Sequence, residues 1–223
     1  MKNHGVLDFG NSAIKLAIFT NGELQKYNVF RYSEKTEFNK QVEKYKDVNF
    51  ILSSVIDEEQ LVTILNSPSN VYDLRKLDIP LNTTYKTIDT LGADRIANGV
   101  ALQHFSQNKN ALCIDIGTCL KFDFKNEEDI FLGGSISPGI RLRYEALHHF
   151  TGKLPLLNST ERTTLVGNST HASIQSGVIN GIHSEINGII ESYKAKYSDL
   201  TIFMTGGDLD KLDLDRKNTI FAD

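Results

Sequence analysis

Two stretches of the chain repeat one arrangement of apolar and polar positions. In "GVLDFGNSAIKLAIF" (5–19) an apolar strand ends at an Asp, a Gly and small polar residues follow, and a second apolar strand leads away. In "LCIDIGTCLKFDF" (112–124) the order is the same. Period-two alternation predicts strands over 5–8, 14–19 and 24–30, joined by Gly-Asn and Asn-Gly turns whose residue types tolerate positive φ. A charged helix over 37–45, a strand over 50–55, a helix over 58–65 and a short strand near 71–74 follow. A helix over 92–105 then leads through the polar "SQNKN" connection (106–110) into three more strands, 111–115, 120–124 and 130–136. Ile174, Val178, Ile182, Ile186, Ile189, Ile190 and Tyr193 step by three or four and predict an amphipathic helix over 173–193, before a last strand over 201–204 that ends in "TGGD" (205–208).

Asp8 and Asp115 stand half a chain length apart, each at the head of a three-stranded run, so the pattern predicts a duplicated α/β domain with lobes over 1–107 and 108–223. Each lobe is expected to be a mixed sheet that opens with a three-stranded antiparallel meander and is flanked by helices. A chain of 223 residues supports a core in each lobe. The composition is that of a globular enzyme, with 40% apolar and 23% charged residues, and a net charge of -4 gives no basic footprint for nucleic acid. Apolar stretches such as 13–19 are broken by Lys and too short to span a bilayer, and no leader pattern precedes them, so a cytoplasmic address is expected. Two cysteines, Cys113 and Cys119, read as reduced core thiols, not as a disulfide or zinc framework.

An ionised Asp at the end of a buried strand costs several kcal/mol unless something compensates it. Gly10 and Gly117 permit close backbone approach and expose N–H groups, and Asn11, Ser12 and Thr118 add side-chain donors, which is the chemistry of phosphate and a hard cation. Facing lobes would line one cleft with both turns, a nucleotide supplying the missing charges. A single copy is better explained as an Asp capping a hairpin; two copies at half-chain spacing favour the ligand site. Neither G-x-x-x-x-G-K-[ST] nor G-x-G-x-x-G occurs, so a nucleotide must be held by other means.

The doubled D-x-G-[NT] hairpin resembles the phosphate motifs of the actin, sugar kinase and Hsp70 superfamily, and within it the chain resembles the type III pantothenate kinases. The matching pieces, in family order, are "DFGNSAIK" (8–15), "LGADRIANGVA" (91–101), "DIGTCLKFD" (115–123), "GGSISPGI" (133–140), "LP" (154–155), "STHASIQSGVINGI" (169–182) and "TGGD" (205–208). The resemblance implies duplicated ribonuclease H-like (actin-like ATPase) domains, and transfer of the ATP γ-phosphate to the primary hydroxyl of pantothenate. The chain departs from the family pattern at Ser12, where Thr is usual, at Ile88, where Pro often stands, and at Cys119 and Lys121, where Ala and Thr are usual. Lys121 places a cation beside the second phosphate turn, which bears on monovalent-cation dependence. Relatives commonly continue beyond the final "NTIFAD" (218–223), so a C-terminal element is expected to be missing.

The resemblance also implies roles. Asp94 would be the general base, with Gly92, Ala93, Arg95 and Thr170 contacting pantothenate. The plain alternative for Asp94 is a first-turn carboxylate at the positive end of its helix; Arg95 opposes that dipole and so invites an outside anion. Asp8 would hold Mg²⁺ through water, and Phe9, Gly10, Asn11, Ser12, Ala13, Ile14, Lys15 and Thr118 would form the ATP phosphate contacts, although Lys15 reads equally as a solvated strand lysine. Asp115 would ligate a monovalent cation, K⁺ or NH₄⁺. Gly133 and Gly134, with Gly139 beyond them, would admit the nucleotide, and Gly206 and Gly207 the adenosine side. His148 and His149 lack metal-ligand spacing. A homodimer is expected, with apolar positions on the long helix available for the contact. The alternatives are a non-catalytic regulator of the Bvg accessory factor type, or a kinase of another small hydroxylated acceptor.

Overall fold

The structure is a computed structural model that describes residues 3–65, 70–212, 214 and 219–221. Strand β1 (Asn3–Phe9) pairs antiparallel with β2 (Ile14–Thr20), and β2 pairs antiparallel with β3 (Glu23–Phe30). Asn21 and Gly22 have φ of 53° and 88°, the tight hairpin geometry that Asn-Gly favours between β2 and β3. The β1–β2 turn is built differently. Gly10 and Asn11 are not among the positive-φ residues, and the Gly10 N–H donates to the Ala13 carbonyl at 3.1 Å to close the loop. Positive φ, expected at both turns, is therefore needed only at the second.

Helix α1 (Lys35–Glu43), β4 (Asn49–Ser54), α2 (Glu58–Ile64) and β5 (Val71–Asp73) complete a five-stranded sheet in the order β3-β2-β1-β4-β5, with β4 parallel to both β1 and β5. The second sheet repeats this plan. After α3 (Ala93–Phe105), strands β6 (Ala111–Ile116), β7 (Cys119–Lys125) and β8 (Phe131–Pro138) form an antiparallel meander. Helices α4 (Ile140–His149) and α5 (Thr170–Lys196) precede β9 (Thr201–Thr205) and β10 (Thr219–Phe221). The order is β8-β7-β6-β9-β10, with β9 parallel to β6 and to β10. Strand β10 was not expected from the sequence pattern, nor was α4, whose buried side chains are only Ile140 and Tyr144. Of the closing "NTIFAD" stretch, residues 218, 222 and 223 lie outside the described residues.

By compactness the chain divides into Met1–Pro80 with Thr87–Ala97, and Leu81–Lys86 with Asn98–Asp223; the division falls inside α3. In the first unit Phe38 of α1 is fully buried and meets Phe9 and Phe30 edge-on, with ring centroids 5.5 and 5.6 Å away. Burying such a ring contributes about 1.5–3 kcal/mol, and each edge-to-face pair about 0.5–1.5 more, which anchors the end of β1 next to Asp8. In the second unit α5 buries Ile174, Val178, Ile179, Ile182, Ile186 and Ile190 against β6, β7 and β9, while Ile189 and Tyr193 pack at its margin. The apolar face of α5 is thus consumed by its own core. The expected surplus for a subunit contact is not on this helix; the exposed large apolar side chains include Ile136, Phe150, Leu156, Leu165 and Val166.

Lys125 on β7 is fully buried, and its ammonium donates to the Ser106 carbonyl and to Asp129 Oδ1. Burial opposes ionisation of Asp129, but the Lys125 hydrogen bond, the Asn108 N–H and the Lys125 charge together hold its carboxyl below the ordinary value. A depressed folded-state pKa means that the contribution is complete at neutral pH and is lost as pH falls below about 4. Asp129 has φ of 58°, which Asn tolerates, so Asp129→Asn removes the charge without new backbone strain. The expected loss is about 2 kcal/mol at pH 7, at the low side for a broken buried pair because Asp129 is partly solvated. Urea unfolding of both proteins at pH 7 and in acid checks this, the difference shrinking as the pH is lowered.

Candidate active site

Each meander brings a carboxylate to the end of its first strand and a lysine opposite it. Asp8 on β1 faces Lys15 on β2 in the ladder register, and Lys15 Nζ lies 2.9 Å from Asp8 Oδ2. Asp115 on β6 faces Lys121 on β7, and Lys121 Nζ lies 2.7 Å from Asp115 Oδ2. The two pairs differ in their access to water. The Lys15 and Asp8 side chains keep 37% and 26% of their surface exposed, whereas Lys121 and Asp115 keep 14% and 17%. Lys15 is therefore neither a plain solvated lysine nor a buried one, and its head group sits on the acidic turn.

Two residues that sequence reasoning missed complete the first turn. Ser53, opposite Asp8 on the parallel strand β4, donates from Oγ to Asp8 Oδ1 at 3.1 Å. The Tyr32 hydroxyl donates to the Gly10 carbonyl. Burial, and secondly the Asp8 charge, push the Tyr32 phenol above its usual pKa, which keeps it a protonated donor. The available signal was the pair of small hydroxyl residues, Ser53 and Ser54, that ends an apolar strand, because ligands of parallel α/β sheets gather at carboxyl ends of strands. Thr205 on β9 holds the matching register position opposite Asp115.

The glycine amides are used inside the turns. Gly10 N–H donates to the Ala13 carbonyl, and Gly117 N–H donates to the Cys119 carbonyl at 3.1 Å. Phe9 and Ile14 are fully buried core side chains; they fix the first turn without lining it. Asn11 and Ser12 are exposed, and Thr118 is half-buried. Among the described residues no cluster of three or more His, Cys, Asp or Glu side chains is arranged to hold a metal. Cys113, two residues before Asp115, is buried, and burial first, then Asp123 and Asp115, push its thiol up against the opposing effect of Lys121, so it stays an inert core thiol.

Gly139 and Gly206 close on the second turn. The Gly139 N–H donates to the Thr118 carbonyl at 3.0 Å, and a Cβ there would lie 2.1 Å from the Gly117 carbonyl oxygen. Gly206 has φ of 109°, and its Cβ would lie 2.3 Å from the Ile116 oxygen. A Cβ on Gly207 would meet nothing within 4 Å. Gly133 and Gly134 do not reach this turn. They pair with Phe124 and Asp123 on β7, whereas Pro138 pairs with Cys119 beside the turn; at ~3.3 Å per residue the separation along β8 is roughly 13–16 Å. Their glycine identity has a packing cause: Gly133 has φ of 95°, and a Cβ on Gly134 would overlap the Phe122 carbonyl. Gly133 and Gly134 thus stand apart from the phosphate turn along β8.

Asp94 stands in the first turn of α3, and its Oδ1 accepts the Arg95 N–H at 2.8 Å. A Cβ on Gly92 would come within 2.5 Å of that oxygen, so Gly92 leaves the carboxylate room. Ala93 is a core side chain at 1% exposure, and Arg95 is buried at 5%, a depth at which a guanidinium persists only with polar partners. Ser169, not Thr170, caps α5, accepting the Ala172 N–H at 3.2 Å; Thr170 follows at the first helical position and is exposed.

A family model described as type III pantothenate kinase matches residues 6–192. A type III pantothenate kinase of Christiangramia forsetii is 42% identical over 223 residues, covering 97% of this chain and 91% of its own. Another, of Flavobacterium johnsoniae, is 42% identical over 225 residues, covering 97% and 90%. Among solved structures, a Campylobacter jejuni protein described as a Baf family transcriptional activator superposes with a TM-score of 0.61 at 22% identity, covering 98% of this chain and 90% of its own; it carries the fold argument alone. The superposition and the repeated strand order bear out the duplicated α/β fold.

The contrast between the neighbouring glycines is measurable. Gly206→Ala combines a left-handed φ with a backbone overlap and is expected to cost about 1–3 kcal/mol, whereas Gly207→Ala is expected to change stability by less than about 0.5 kcal/mol. Denaturant midpoints of the two variants decide it.

Proposed function

The chain belongs to the type III pantothenate kinase family, and on that premise we propose that it transfers the γ-phosphate of ATP to the primary hydroxyl of pantothenate, giving 4′-phosphopantothenate and ADP. The observation that carries this is the family match over residues 6–192, a span that contains Asp8, Asp94 and Asp115.

Asp94 is the proposed general base. Its carboxylate, with one oxygen on the Arg95 amide, has a defined direction, and an oriented carboxylate can accept the hydroxyl proton as the oxygen attacks the γ-phosphorus. Arg95 supplies a cation for the carboxylate of pantothenate; Gly92 contributes space, Ala93 its backbone and Thr170 a hydroxyl. Asn11, Ser12, Lys15 and Thr118 receive the ATP phosphates, and Gly207 the adenosine side. Lys15 supports its part by being exposed enough for its ammonium to reach a phosphate while still resting on Asp8.

Asp8 fits Mg²⁺. It offers hard carboxylate oxygens, a quarter of its side chain is open to solvent, and contact through water suits an ion that keeps most of its hydration while Lys15 and Ser53 rest on the same carboxylate. Asp8 would hold Mg²⁺ through water, where the ion would neutralise charge on the transferring phosphate. The net charge of -4 argues against nucleic acid as a partner. No helix among the described residues is long and apolar enough to cross a membrane, and we place the enzyme in the cytoplasm as a homodimer. Ile136, Phe150, Leu156, Leu165 and Val166 supply the exposed apolar surface for the subunit contact.

The test is coupled ADP release with pantothenate against a panel of other hydroxylated acceptors. Pantothenate alone is expected to stimulate turnover, and stimulation by a sugar instead would reassign the acceptor. Asp94→Asn is expected to lower kcat by at least about a hundredfold, the scale of general-base catalysis, with ATP and pantothenate still binding by calorimetry. Normal turnover in that variant removes Asp94 from the mechanism. Light scattering at micromolar concentration is expected to give twice the chain mass; a monomer contradicts the dimer.

A further inference from the structure

We propose that the Lys121 ammonium is this enzyme's built-in monovalent cation, so that turnover requires no added K⁺ or NH₄⁺. The inference rests on the assignment of the Asp115 turn to the phosphate site. The resemblance implies a diffusible monovalent cation on Asp115, and the residues present do not fit one. Lys121 Nζ already lies 2.7 Å from Asp115 Oδ2, at ion-pair distance, with both side chains largely out of water. A second monocation on the same carboxylate would be repelled by the ammonium at short range in a poorly screened environment.

The ladder dictates the placement. Asp115 and Lys121 are direct cross-strand partners on β6 and β7, so their side chains leave the sheet on one face. The same face carries Cys113 and Asp123 two residues along each strand, with Thr205 opposite Asp115 on β9 and Ile136 opposite Lys121 on β8, so the pair is flanked on both sides by paired strands. An ammonium and a potassium ion carry the same charge and make similar contact distances to oxygen. The tethered group differs in one respect, being held at an effective concentration that a free ion cannot match. Lys15 on Asp8 is a more exposed version of the same device, open enough for its ammonium to reach a phosphate as well.

The full chain is assayed for pantothenate-dependent ADP release from zero to about 0.15 M KCl or NH₄Cl, with ionic strength held by tetramethylammonium chloride. The parent rate is expected to stay within about twofold throughout. Lys121→Ala is expected to fall at least about tenfold without K⁺ and to recover in a saturable way with K⁺ or NH₄⁺ but not with tetramethylammonium. Melting provides a second readout: KCl is expected to raise the Tm of Lys121→Ala and leave that of the parent unchanged, because a ligand stabilises only the protein that binds it. Stimulation of the parent by about fivefold or more with K⁺, or an Ala variant as active as the parent without K⁺, overturns the proposal. The parent titration decides the matter even if the variant does not fold. A parent that releases no ADP with pantothenate in any salt defeats the kinase assignment instead, and the melting comparison then still decides the cation question.

Discussion

A carboxylate at the inner end of a sheet strand must be compensated where it stands, and both halves of this chain meet that demand with a lysine on the adjoining strand. The antiparallel ladder makes the solution geometric: once β1 ends at Asp8, the direct cross-strand position is Lys15, and once β6 nears its end at Asp115, it is Lys121. An uncompensated carboxylate at such a site costs several kcal/mol, comparable with much of the stability of a domain. The hairpin therefore has to keep its register, because a slip of one residue would carry the lysine to the opposite face. The closing bonds from Gly10 to Ala13 and from Gly117 to Cys119 protect that register.

Much of this was legible in the sequence because period-two alternation and the doubled Asp-x-Gly are strong, local signals. The two meanders, the helix spanning 173–193 and the Asn21-Gly22 turn all follow from them. What escaped was non-local. Ser53 acquires its role only when β4 pairs in parallel with β1, and Tyr32 only when its hydroxyl comes back to Gly10. Strand β10 is three residues long and α4 buries few side chains, so neither leaves a periodic trace. The glycines are ambiguous for a related reason. Sequence cannot tell close approach to a ligand from close approach to a neighbouring strand, and at Gly133 and Gly134 the close neighbours are Tyr85 and the Phe122 backbone.

The repeated plan also shows where duplicated halves have diverged. The first turn is held by side chains: the Tyr32 hydroxyl on Gly10 and Ser53 on Asp8. The second is held by backbone, with Gly139 and Gly206 pressed against the Gly117 and Ile116 carbonyls. Side-chain hydrogen bonds at a part-exposed site exchange with water at little net cost, about 1 kcal/mol each, so the first turn can adjust its Asp8–Lys15 pair as charge arrives. Backbone packed against backbone has less latitude: at Gly139 and Gly206 even an added Cβ would fall within 2.1 and 2.3 Å of a carbonyl oxygen. A fixed turn around a shielded ion pair suits a permanent charge, whereas an adjustable turn around a wetter pair suits one that comes and goes. The sequence departure at Lys121 is then consistent with its surroundings: a covalent cation stands in the half whose turn is the more tightly packed.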